Sequence, residues 1–254
     1  MLARALGFLL LMALGVLWEA VVRLQIVDTP TLPALTSVLL AFWQLLTDGS
    51  FAAVFLPSLE RLFIGYFIAC AVAVALGIAM GFNRWIFRLL EPLVEILRPI
   101  PSPAYVPMAI LFLGIGNQMK IFMVAFASFF PVLLNTISGV MNVDRVLIDT
   151  GRTFGLSRVQ MITKVVLPSA SVYIMTGMRI SLAVALIVTV LAEMVTGNDG
   201  IGFFILSSQR SFHIAEMYAA VIALAIVGYA LNHLFLFVEG RILAWNVGLR
   251  RTEG

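Results

Sequence analysis

Long apolar segments alternate with short polar segments along almost the whole chain. About 20 mainly apolar residues in a row cross the hydrocarbon core of a bilayer, so the alternation predicts membrane spans. The predicted spans are residues 6–22, 59–82, 89–113, 121–140, 172–195 and 215–236. The first is similar to a signal peptide, but its apolar run is long and Glu19 stands where a small-residue cleavage site belongs, which favours a retained span. Ser58 is the candidate N-cap of the second span.

The segment between the first two spans is interrupted too often by proline, aspartate and glycine to cross a membrane. Within it, apolar residues recur at helical spacing from Leu35 to Leu46. This pattern predicts a short amphipathic helix over residues 34–47, lying at the external membrane interface with Trp43 at headgroup depth.

Two of the predicted spans have unusual compositions. The second carries small residues at every fourth position, namely Gly65, Ala69, Ala73, Gly77 and Gly81, and such a stripe lets a neighbouring helix approach closely. The third contains four prolines between residues 99 and 107, so a straight helix is not expected there. These prolines either lie inside the bundle beside a water-filled path or lie at the membrane surface and start the helix.

Polar residues concentrate between residues 143 and 168, while apolar residues still recur there at helical spacing. The first half predicts a helix from Asp144 to Phe154, because negative charge is favoured near a helix N-terminus. Gly155 suits the left-handed conformation that commonly ends a helix, with Leu156 supplying the accompanying apolar contact.

The second half of this polar segment predicts another short helix. Ser157 and Gln160 have the spacing of a capping box, and Leu167-Pro168 is expected to end the helix, because the residue before proline disfavours helical geometry. The segment is therefore predicted to be a rigid helix–turn–helix elbow joined directly to the fourth and fifth spans. The later polar segment, Thr196 to His213, is predicted to be a loop with a turn at Gly197–Gly200.

Composition supports the membrane assignment. The 254 residues are 62% hydrophobic and 11% charged, against roughly 45–50% and about 25% in soluble domains. The net charge of +3 gives no reason to expect nucleic acid as a partner. A single cysteine, Cys70, excludes a disulfide framework. The sequence shows neither a metal-ligand cluster nor the nucleophile–base spacing of a membrane-embedded enzyme.

Basic residues indicate the orientation, because they concentrate in cytoplasmic segments. With the N-terminus inside, the inner segments hold Arg4, Arg84, Arg88, Arg145, Arg152, Arg158, Lys164, Arg241, Arg250 and Arg251. The outer segments hold Arg23, Lys120 and Arg210, with Arg61 at a span entrance. The sequence therefore predicts an all-α integral membrane protein with six transmembrane helices, both termini inside, and the elbow in the cytoplasm.

At the elbow, the residues resemble the cytoplasmic signature of permease subunits of ATP-binding-cassette (ABC) importers. That signature reads Glu-Ala-Ala, three residues, Gly, nine residues, then Ile-x-Leu-Pro. Here Asp149-Thr150-Gly151 stand at the first positions, Gly155 follows after three residues, and Val165-Val166-Leu167-Pro168 follow after nine more. Asp149 keeps the charge of the signature glutamate, whereas Thr150 and Gly151 depart from its two alanines.

Further matches cover nearly the whole chain and are similar to the nitrate/sulfonate/taurine/bicarbonate subgroup of these permeases. They are Ser58-Leu59-x-Arg61-x-x-x-Gly65, Arg98-x-Ile100-Pro101, Phe112-Leu113-Gly114-Ile115-Gly116, Phe130-Pro131-x-x-x-Asn135-Thr136 and Ala192-Glu193-Met194. The resemblance implies the type I ABC importer permease fold in a bacterial cytoplasmic (inner) membrane. The residues implied to couple to an ATPase are Asp149, Gly151, Phe154, Gly155, Leu156, Ser157, Leu167 and Pro168.

The same resemblance implies the partners. Two cytoplasmic ATPase subunits bind the elbows, a second permease subunit forms a homodimer, and an external or periplasmic binding protein delivers the solute. ATP and Mg belong to the ATPase, and no cofactor is expected in this chain, whose sequence lacks a P-loop. The implied solute is a small anion of the nitrate, sulfonate, taurine or bicarbonate class.

Ionisable and amide groups in or near the spans are candidates for the translocation path, because intramembrane charge is costly and marks functional or paired groups. The candidates are Arg61, Glu95, Arg98, Asn135, Arg179 and Glu193. Glu95 and Arg98 have the spacing of a pair on one helix face, whereas Arg179 and Glu193 are too far apart to pair. Asn135 either bonds across helices or lines the path. Interfacial snorkelling or structural pairing is the alternative interpretation of the charges.

A proton-coupled secondary carrier or channel is the competing functional class. It would use Glu193 and His233 as proton-relay groups and would need no ATPase. Transport that requires ATP, rather than a proton gradient, distinguishes the importer from this class.

Overall fold

The computed structural model describes residues 2–26 and 31–244, without the side chains of residues 2–8 and 11. Within this part all regular elements are helical. They are α1 (Leu2–Arg23), α2 (Leu35–Thr47), α3 (Ser50–Phe82), α4 (Arg84–Leu97), a 3-10 turn (Ser102–Tyr105), α5 (Val106–Leu113), α6 (Asn117–Met141), α7 (Arg145–Thr153), α8 (Arg158–Met161), a π-helical turn (Ile162–Val166), α9 (Leu167–Thr196), α10 (Ile201–Arg210) and α11 (Ile214–Ile242).

Four helices of the described chain are long and apolar enough to cross a membrane, namely α3, α6, the continuous helix Arg158–Thr196, and α11. The pair formed by α4 and Ser102–Leu113 qualifies as a fifth candidate, bent by 93°. The all-helical class is therefore confirmed, and α1 and α2 cover the predicted first span and the predicted helix 34–47. The count of six spans remains a prediction.

The bend in the third predicted span follows from its prolines. Helix α4 ends at Leu97, just before Pro99 and Pro101, and Pro103 and Pro107 then occupy the first turns of the next two helical segments. Proline cannot donate the backbone hydrogen bond of a helix interior, but it fits the first turn, where that donor has no partner. A straight span is thus excluded, as the sequence predicts.

The chain divides into two compact units, Met1–Ser58 with Glu193–Val227, and Leu59–Ala192 with Gly228–Gly254. In the first unit, Val38, Ala41 and Leu45 of α2 are buried with Ala219 of α11. The indole of Trp18 packs against this cluster and donates a hydrogen bond to the Pro33 carbonyl at 3.1 Å.

In the second unit, the small-residue stripe of α3 lies directly against α6. A Cβ added at Gly65 would lie 2.8 Å from Val124 Cβ, and one added at Gly77 or Gly81 would lie 2.6 Å from the Cβ of Thr136 or Val140. The residue numbers rise together along both helices, so α3 and α6 run parallel. The close packing that the stripe predicts is confirmed, with α6 as the partner.

Helices α6 and α9 are antiparallel neighbours. Gly139 of α6 meets Ala170 and Tyr173 near the start of α9, whereas Gly177 meets Pro131 and Asn135 farther back along α6. The two helices that flank the elbow therefore pack on each other along their length, and the elbow closes this helical hairpin.

Replacing Gly77 with alanine is expected to destabilise the protein by about 1–3 kcal/mol, because the new methyl group overlaps Thr136 and overpacking costs energy of this order. Gly240→Ala is the matched control, since a Cβ at this helical glycine meets nothing within 4 Å and alanine is the better helix former. Thermal unfolding in detergent should show a lower melting temperature for the first variant only. Equal melting temperatures would contradict the close packing of α3 on α6.

Two predicted helix boundaries are wrong. Ser58 does not cap the second span, because α3 begins at Ser50 and contains Pro57. Asp48 instead accepts a hydrogen bond from the Ser50 backbone N–H at 2.8 Å, which lowers the pKa of its carboxyl group.

Leu167-Pro168 does not end the helix that begins at Arg158, which continues to Thr196. The π-helical turn just before Pro168 makes room for a ring that would clash with the preceding turn of a regular α-helix.

The prediction of a loop from Thr196 to His213 is also wrong, because α10 occupies its centre. Ile201, Ile205 and Ser208 are buried on one side of this helix, and their spacing is that of one helical face. The high polar content of the segment conceals this short periodicity.

Candidate functional site: the elbow and the buried polar groups

The first helix of the elbow is capped at both ends by its own sequence. Asp144 precedes α7, and its carboxylate accepts a hydrogen bond from the Val146 N–H at 2.8 Å. At the other end, Gly155 has φ +70°, the left-handed conformation that favours glycine. The Leu156 N–H donates to the Gly151 carbonyl at 3.0 Å, and the Gly155 N–H donates to the Arg152 carbonyl at 2.9 Å. These bonds form a Schellman motif.

Gly151, which departs from the signature alanine, has a packing role. It is buried, and a Cβ there would lie 2.8 Å from Met161 Cε and 3.2 Å from Leu156 Cδ1. Glycine thus allows Met161 and Leu156 to pack onto the backbone of α7. Helix α7 runs unbroken through Thr150 and Gly151, so the substitutions do not disrupt it.

The turn into α8 is a capping box, as predicted. Ser157 Oγ accepts from the Gln160 N–H at 3.3 Å, and Gln160 Oε1 accepts from the Ser157 N–H at 2.9 Å. The two short helices are therefore each closed by hydrogen bonds within the elbow, which makes it a defined structural unit.

The inner side of the elbow is anchored to the long helices. Met161 and Val166 are buried in one cluster with Val140 of α6, with Val143 just after α6, and with Ala170 and Ile174 of α9. Leu156 and Ile148 pack on the same cluster. The elbow therefore shares one apolar core with α6 and α9, and such a close-packed core resists deformation.

The outer side of the elbow exposes apolar side chains. Phe154 is 79% exposed, Val159 70% and Val146 67%. Asp149 lies on α7, which ends just before Phe154. Its exposed carboxylate pairs with Arg152 at 3.1 Å. Leu167 is partly exposed at 37%, at the point where α9 begins beside Pro168. These exposed apolar side chains make the outer side of the elbow a candidate interaction surface.

Among the proposed path residues, Arg61 is the most deeply buried cation. It is 2% exposed, and its Nε donates a hydrogen bond to Asn117 Oδ1 at 2.9 Å. Asn117 is the first residue of α6, and Lys120, one turn later, is also buried at 3%. Neither residue is among the path candidates that the sequence indicates, and Lys120 is predicted only as a basic residue of an outer segment. Both follow a glycine-rich turn, and such a turn is typical of a surface segment.

The other path candidates of the second unit have separate positions. Arg98 and Glu95 pair at 3.2 Å as their spacing predicts, and both are about half exposed. The Asn135 side chain donates to the Pro131 carbonyl at 2.8 Å within α6, so this bond does not cross between helices. Arg179 donates through Nε to Asn232 Oδ1 at 3.2 Å. Arg179 and Asn232 line a cavity of about 250 Å³.

In the first unit, Glu193 is the centre of a hydrogen-bonded cluster and is fully buried. Ser58 Oγ lies 2.9 Å from both carboxylate oxygens and donates its proton to this carboxylate. The same Ser58 oxygen accepts from the Ile201 N–H at 2.9 Å, and the Gly202 N–H donates to Glu193 Oε2 at 3.0 Å. The N-terminus of α10 therefore points at a carboxylate, which its dipole stabilises.

Gly200 makes this cluster possible. It has φ +96°, and a Cβ at this position would overlap the Glu193 carboxylate. Gly200→Ala is expected to lower stability by about 2–4 kcal/mol, the sum of backbone strain and a buried overlap. Gly49→Ala is the matched control, since Gly49 has φ +81° but a Cβ there meets nothing within 4 Å. Comparable losses in thermal melting for the two variants would show that the overlap with Glu193 has no effect.

The sequence selected Glu193 but not its partners. The sequence predicts Ser58 as a helix cap, and the N–H groups of Ile201 and Gly202 belong to a segment predicted as a loop. Their only signal is the glycine pattern Gly197, Gly200 and Gly202, which indicates a close approach of backbone to another group. No cluster of three metal-ligating side chains occurs among the residues that the structure describes.

A family model described as "Binding-protein-dependent transport system inner membrane component" matches residues 71–243. The putative aliphatic sulfonates transport permease protein SsuC of Escherichia coli (strain K12) is 34% identical over 236 residues, covering 93% of this chain and 90% of that protein. The nitrate import permease protein NrtB of Leptolyngbya laminosa is 31% identical over 202 residues, covering 80% and 69%.

The taurine transport system permease protein TauC of Escherichia coli (strain K12) is 31% identical over 234 residues, covering 90% of this chain and 85% of that protein. Among solved structures, a chain of the MetNI methionine ABC transporter in inward-facing conformations has a TM-score of 0.66 at 19% identity. That match covers 76% of this chain and 94% of the other, and it shows the type I importer permease fold. The chain therefore belongs to the binding-protein-dependent transport system inner membrane component family and is a permease subunit of an ABC importer, in which ATP hydrolysis belongs to a separate subunit.

Proposed function

We propose that this permease works as a homodimer in a bacterial inner membrane, with six spans per copy and both termini in the cytoplasm. Two ATPase subunits bind its elbows and hold ATP and Mg. An external binding protein delivers the solute to the outer side. The coupling residues are those of the elbow, Asp149, Gly151 and Phe154 to Ser157, together with Leu167 and Pro168.

The structure of the elbow is the observation that supports this proposal. The elbow is closed by its own helix caps, is packed against long helices on its inner side, and exposes apolar side chains on its outer side. Its caps at Asp144, Gly155 and Ser157 hold two short helices in one geometry. Its inner side is packed against α6 and α9, and its outer side presents Phe154 and Val159. A flexible loop would absorb a displacement of the ATPase, whereas this elbow transmits it.

The attachment of the elbow to α6 and α9 supports alternating access. When ATP closes the two ATPase subunits, each elbow moves with the subunit to which it is bound. Because α6 and α9 share an apolar core with the elbow, both helices tilt together. ATP hydrolysis and reopening reset the permease for the next solute.

A small anion is the proposed solute class. The three named relatives are described as permeases for aliphatic sulfonates, nitrate and taurine, all of which carry an anionic group. Arg61, Arg98 and Arg179 supply positive charge in or near predicted spans, where cations are costly unless they serve a partner or a ligand. Membership in the ABC importer family argues against the competing interpretation of a proton relay through Glu193 and His233.

Replacing Phe154 with aspartate is expected to abolish binding of the ATPase, because burying a new carboxylate at an interface is costly. The permease should keep its stability, because Phe154 is 79% exposed. Phe212→Asp is the matched control, since Phe212 is 78% exposed but lies between α10 and α11. Co-purification of the ATPase with each variant measures the effect. Retention of the ATPase by Phe154→Asp would contradict the proposed docking surface.

Solute uptake into proteoliposomes tests the function as a whole. Uptake should require ATP, the ATPase and the binding protein, and should persist when the proton gradient is collapsed. Uptake that continues without ATP but stops with the gradient would support a proton-coupled carrier instead.

A further inference from the structure

A cavity of about 380 Å³ separates the elbow from the junction of α3 and α4. Its polar lining consists mainly of Arg84, Arg152 and Arg158, with Asn83 beside them, and Phe82 and Leu156 add apolar surface. The coupling role described above uses the outer side of the elbow and leaves this cavity unexplained.

Three arginines around one cavity form a strongly positive site. Arg152 pairs with Asp149 at 3.1 Å, but the two side chains are 73% and 69% exposed, and such a surface pair is weak and screened by salt. Asp149 is thus a poor competitor for a better anionic ligand at Arg152. No acidic side chain lines the cavity itself.

The positions of two of these arginines oppose the helix dipoles. Arg84 is the first residue of α4, and Arg158 is the first residue of the continuous helix that ends at Thr196. A cation at a helix N-terminus is electrostatically unfavourable, whereas an anion there is favoured. Local helix stability therefore does not favour this arrangement, and a bound anion would offset its electrostatic cost.

The cavity lies at the membrane face that carries the elbow. Helices α3 and α6 run parallel, so the end of α3 at Phe82 and the end of α6 at Met141 share one face. In the proposed orientation, on which this inference rests, that face is cytoplasmic. The cytoplasmic leaflet is rich in anionic phospholipids, and basic pockets beside membrane helices bind their headgroups.

We propose that this cavity binds a phosphate group, either from the headgroup of an anionic phospholipid or from a soluble phosphate. Guanidinium groups suit this ligand because they donate two parallel hydrogen bonds to phosphate oxygens. Phe82 and Leu156 offer apolar contact for the glycerol and first acyl carbons of a lipid. An occupied site ties the elbow to the α3–α4 junction, so it would restrict the movement that couples ATP hydrolysis to transport.

The test compares two triple variants of the purified permease–ATPase complex. Arg84→Gln/Arg152→Gln/Arg158→Gln removes the cavity cations. Arg88→Gln/Arg145→Gln/Arg241→Gln removes the same number of basic residues of the predicted cytoplasmic face, none of which lines the cavity. Native mass spectrometry measures the retained phosphatidylglycerol, with phosphatidylcholine as the zwitterionic reference. The cavity variant should bind phosphatidylglycerol about tenfold to a hundredfold more weakly than the wild type and the control.

A competition arm separates the two sources of phosphate. If millimolar inorganic phosphate displaces phosphatidylglycerol and also binds in its absence, the site takes soluble phosphate. If inorganic phosphate has no effect, the ligand is the lipid headgroup. If the cavity variant fails to fold, Arg152→Gln alone replaces it, since that side chain is mostly exposed.

Two results would overturn the site. In the first, both triple variants retain phosphatidylglycerol and phosphate as the wild type does. In the second, neither ligand binds the wild type, and the cavity variant loses only the ATPase, which would make the arginines part of the protein interface. Binding-protein-stimulated ATP hydrolysis by the wild type is measured in parallel. If it is normal while the site fails, the importer function stands and only this inference falls.

Discussion

Replacing Glu193 with alanine is expected to destabilise the permease by about 2–5 kcal/mol. The substitution leaves the buried Gly202 N–H without its acceptor. It also removes the closer acceptor of the Ser58 hydroxyl, whose other acceptor, the Val54 carbonyl, lies at 3.4 Å. Each unsatisfied buried group costs about 1–3 kcal/mol. The turn from Thr196 to Gly200 and the start of α10 should loosen together, because both are held by the Glu193 cluster.

Thermal melting in detergent and limited trypsin digestion after Arg210 measure this loss. Glu193→Gln is the control, because its amide oxygen still accepts the Gly202 N–H and its size is unchanged. It should lose a smaller part of the stability. Melting temperatures equal to the wild type for both variants would show that the cluster does not hold α10 in place.

Replacing Gly155 with valine is expected to abolish ATP-driven uptake while the permease still reaches the membrane. Gly155 has φ +70°, which costs a β-branched residue about 1–3 kcal/mol. The surrounding space is open, since a Cβ there meets nothing within 4 Å. The strain therefore acts on the backbone of the turn and opens the Schellman motif that fixes α7 against α8.

Gly155→Asn is the matched control, because asparagine tolerates the left-handed conformation. It should retain most of the uptake, whereas Gly155→Val should hydrolyse ATP without transport or lose stimulation by the binding protein. Uptake and ATP hydrolysis in proteoliposomes measure both outcomes. Normal uptake by the valine variant would mean that the geometry of this turn does not matter for coupling.

The sequence predicted the parts of the fold that depend on local chemistry. The capping box at Ser157 and Gln160, the left-handed Gly155 and the broken third span each follow from residue types and short spacings. The stripe from Gly65 to Gly81 predicted close packing, because small side chains are needed only where another backbone approaches. The identity of the packing partner, α6, depends on the tertiary arrangement, which one sequence does not contain.

The errors have different physical causes, namely contacts between distant residues at Ser58 and α10 and a local change of helix geometry before Pro168. Ser58 is a good N-cap type, but its hydroxyl instead binds Glu193, which lies 135 residues away in the chain. Pro168 normally ends a helix, yet a π-helical turn accommodates it and keeps α9 continuous with the elbow. Helix α10 escaped prediction because its buried face is short and its N-terminus depends on the Glu193 carboxylate.

We propose that the elbow moves as a rigid body with α6 and α9. Pulsed electron paramagnetic resonance on the reconstituted importer tests this rigid-body motion. Spin labels are placed at Thr150 in α7 and at Lys164 in the π-helical turn, and Cys70 is replaced by alanine. Rigid coupling predicts that the distance between the two labels within one elbow is the same without nucleotide and with bound ATP. The distance between Thr150 labels on the two permease copies should change between those states. A change within the elbow, with no change between the copies, would contradict coupling through a rigid elbow.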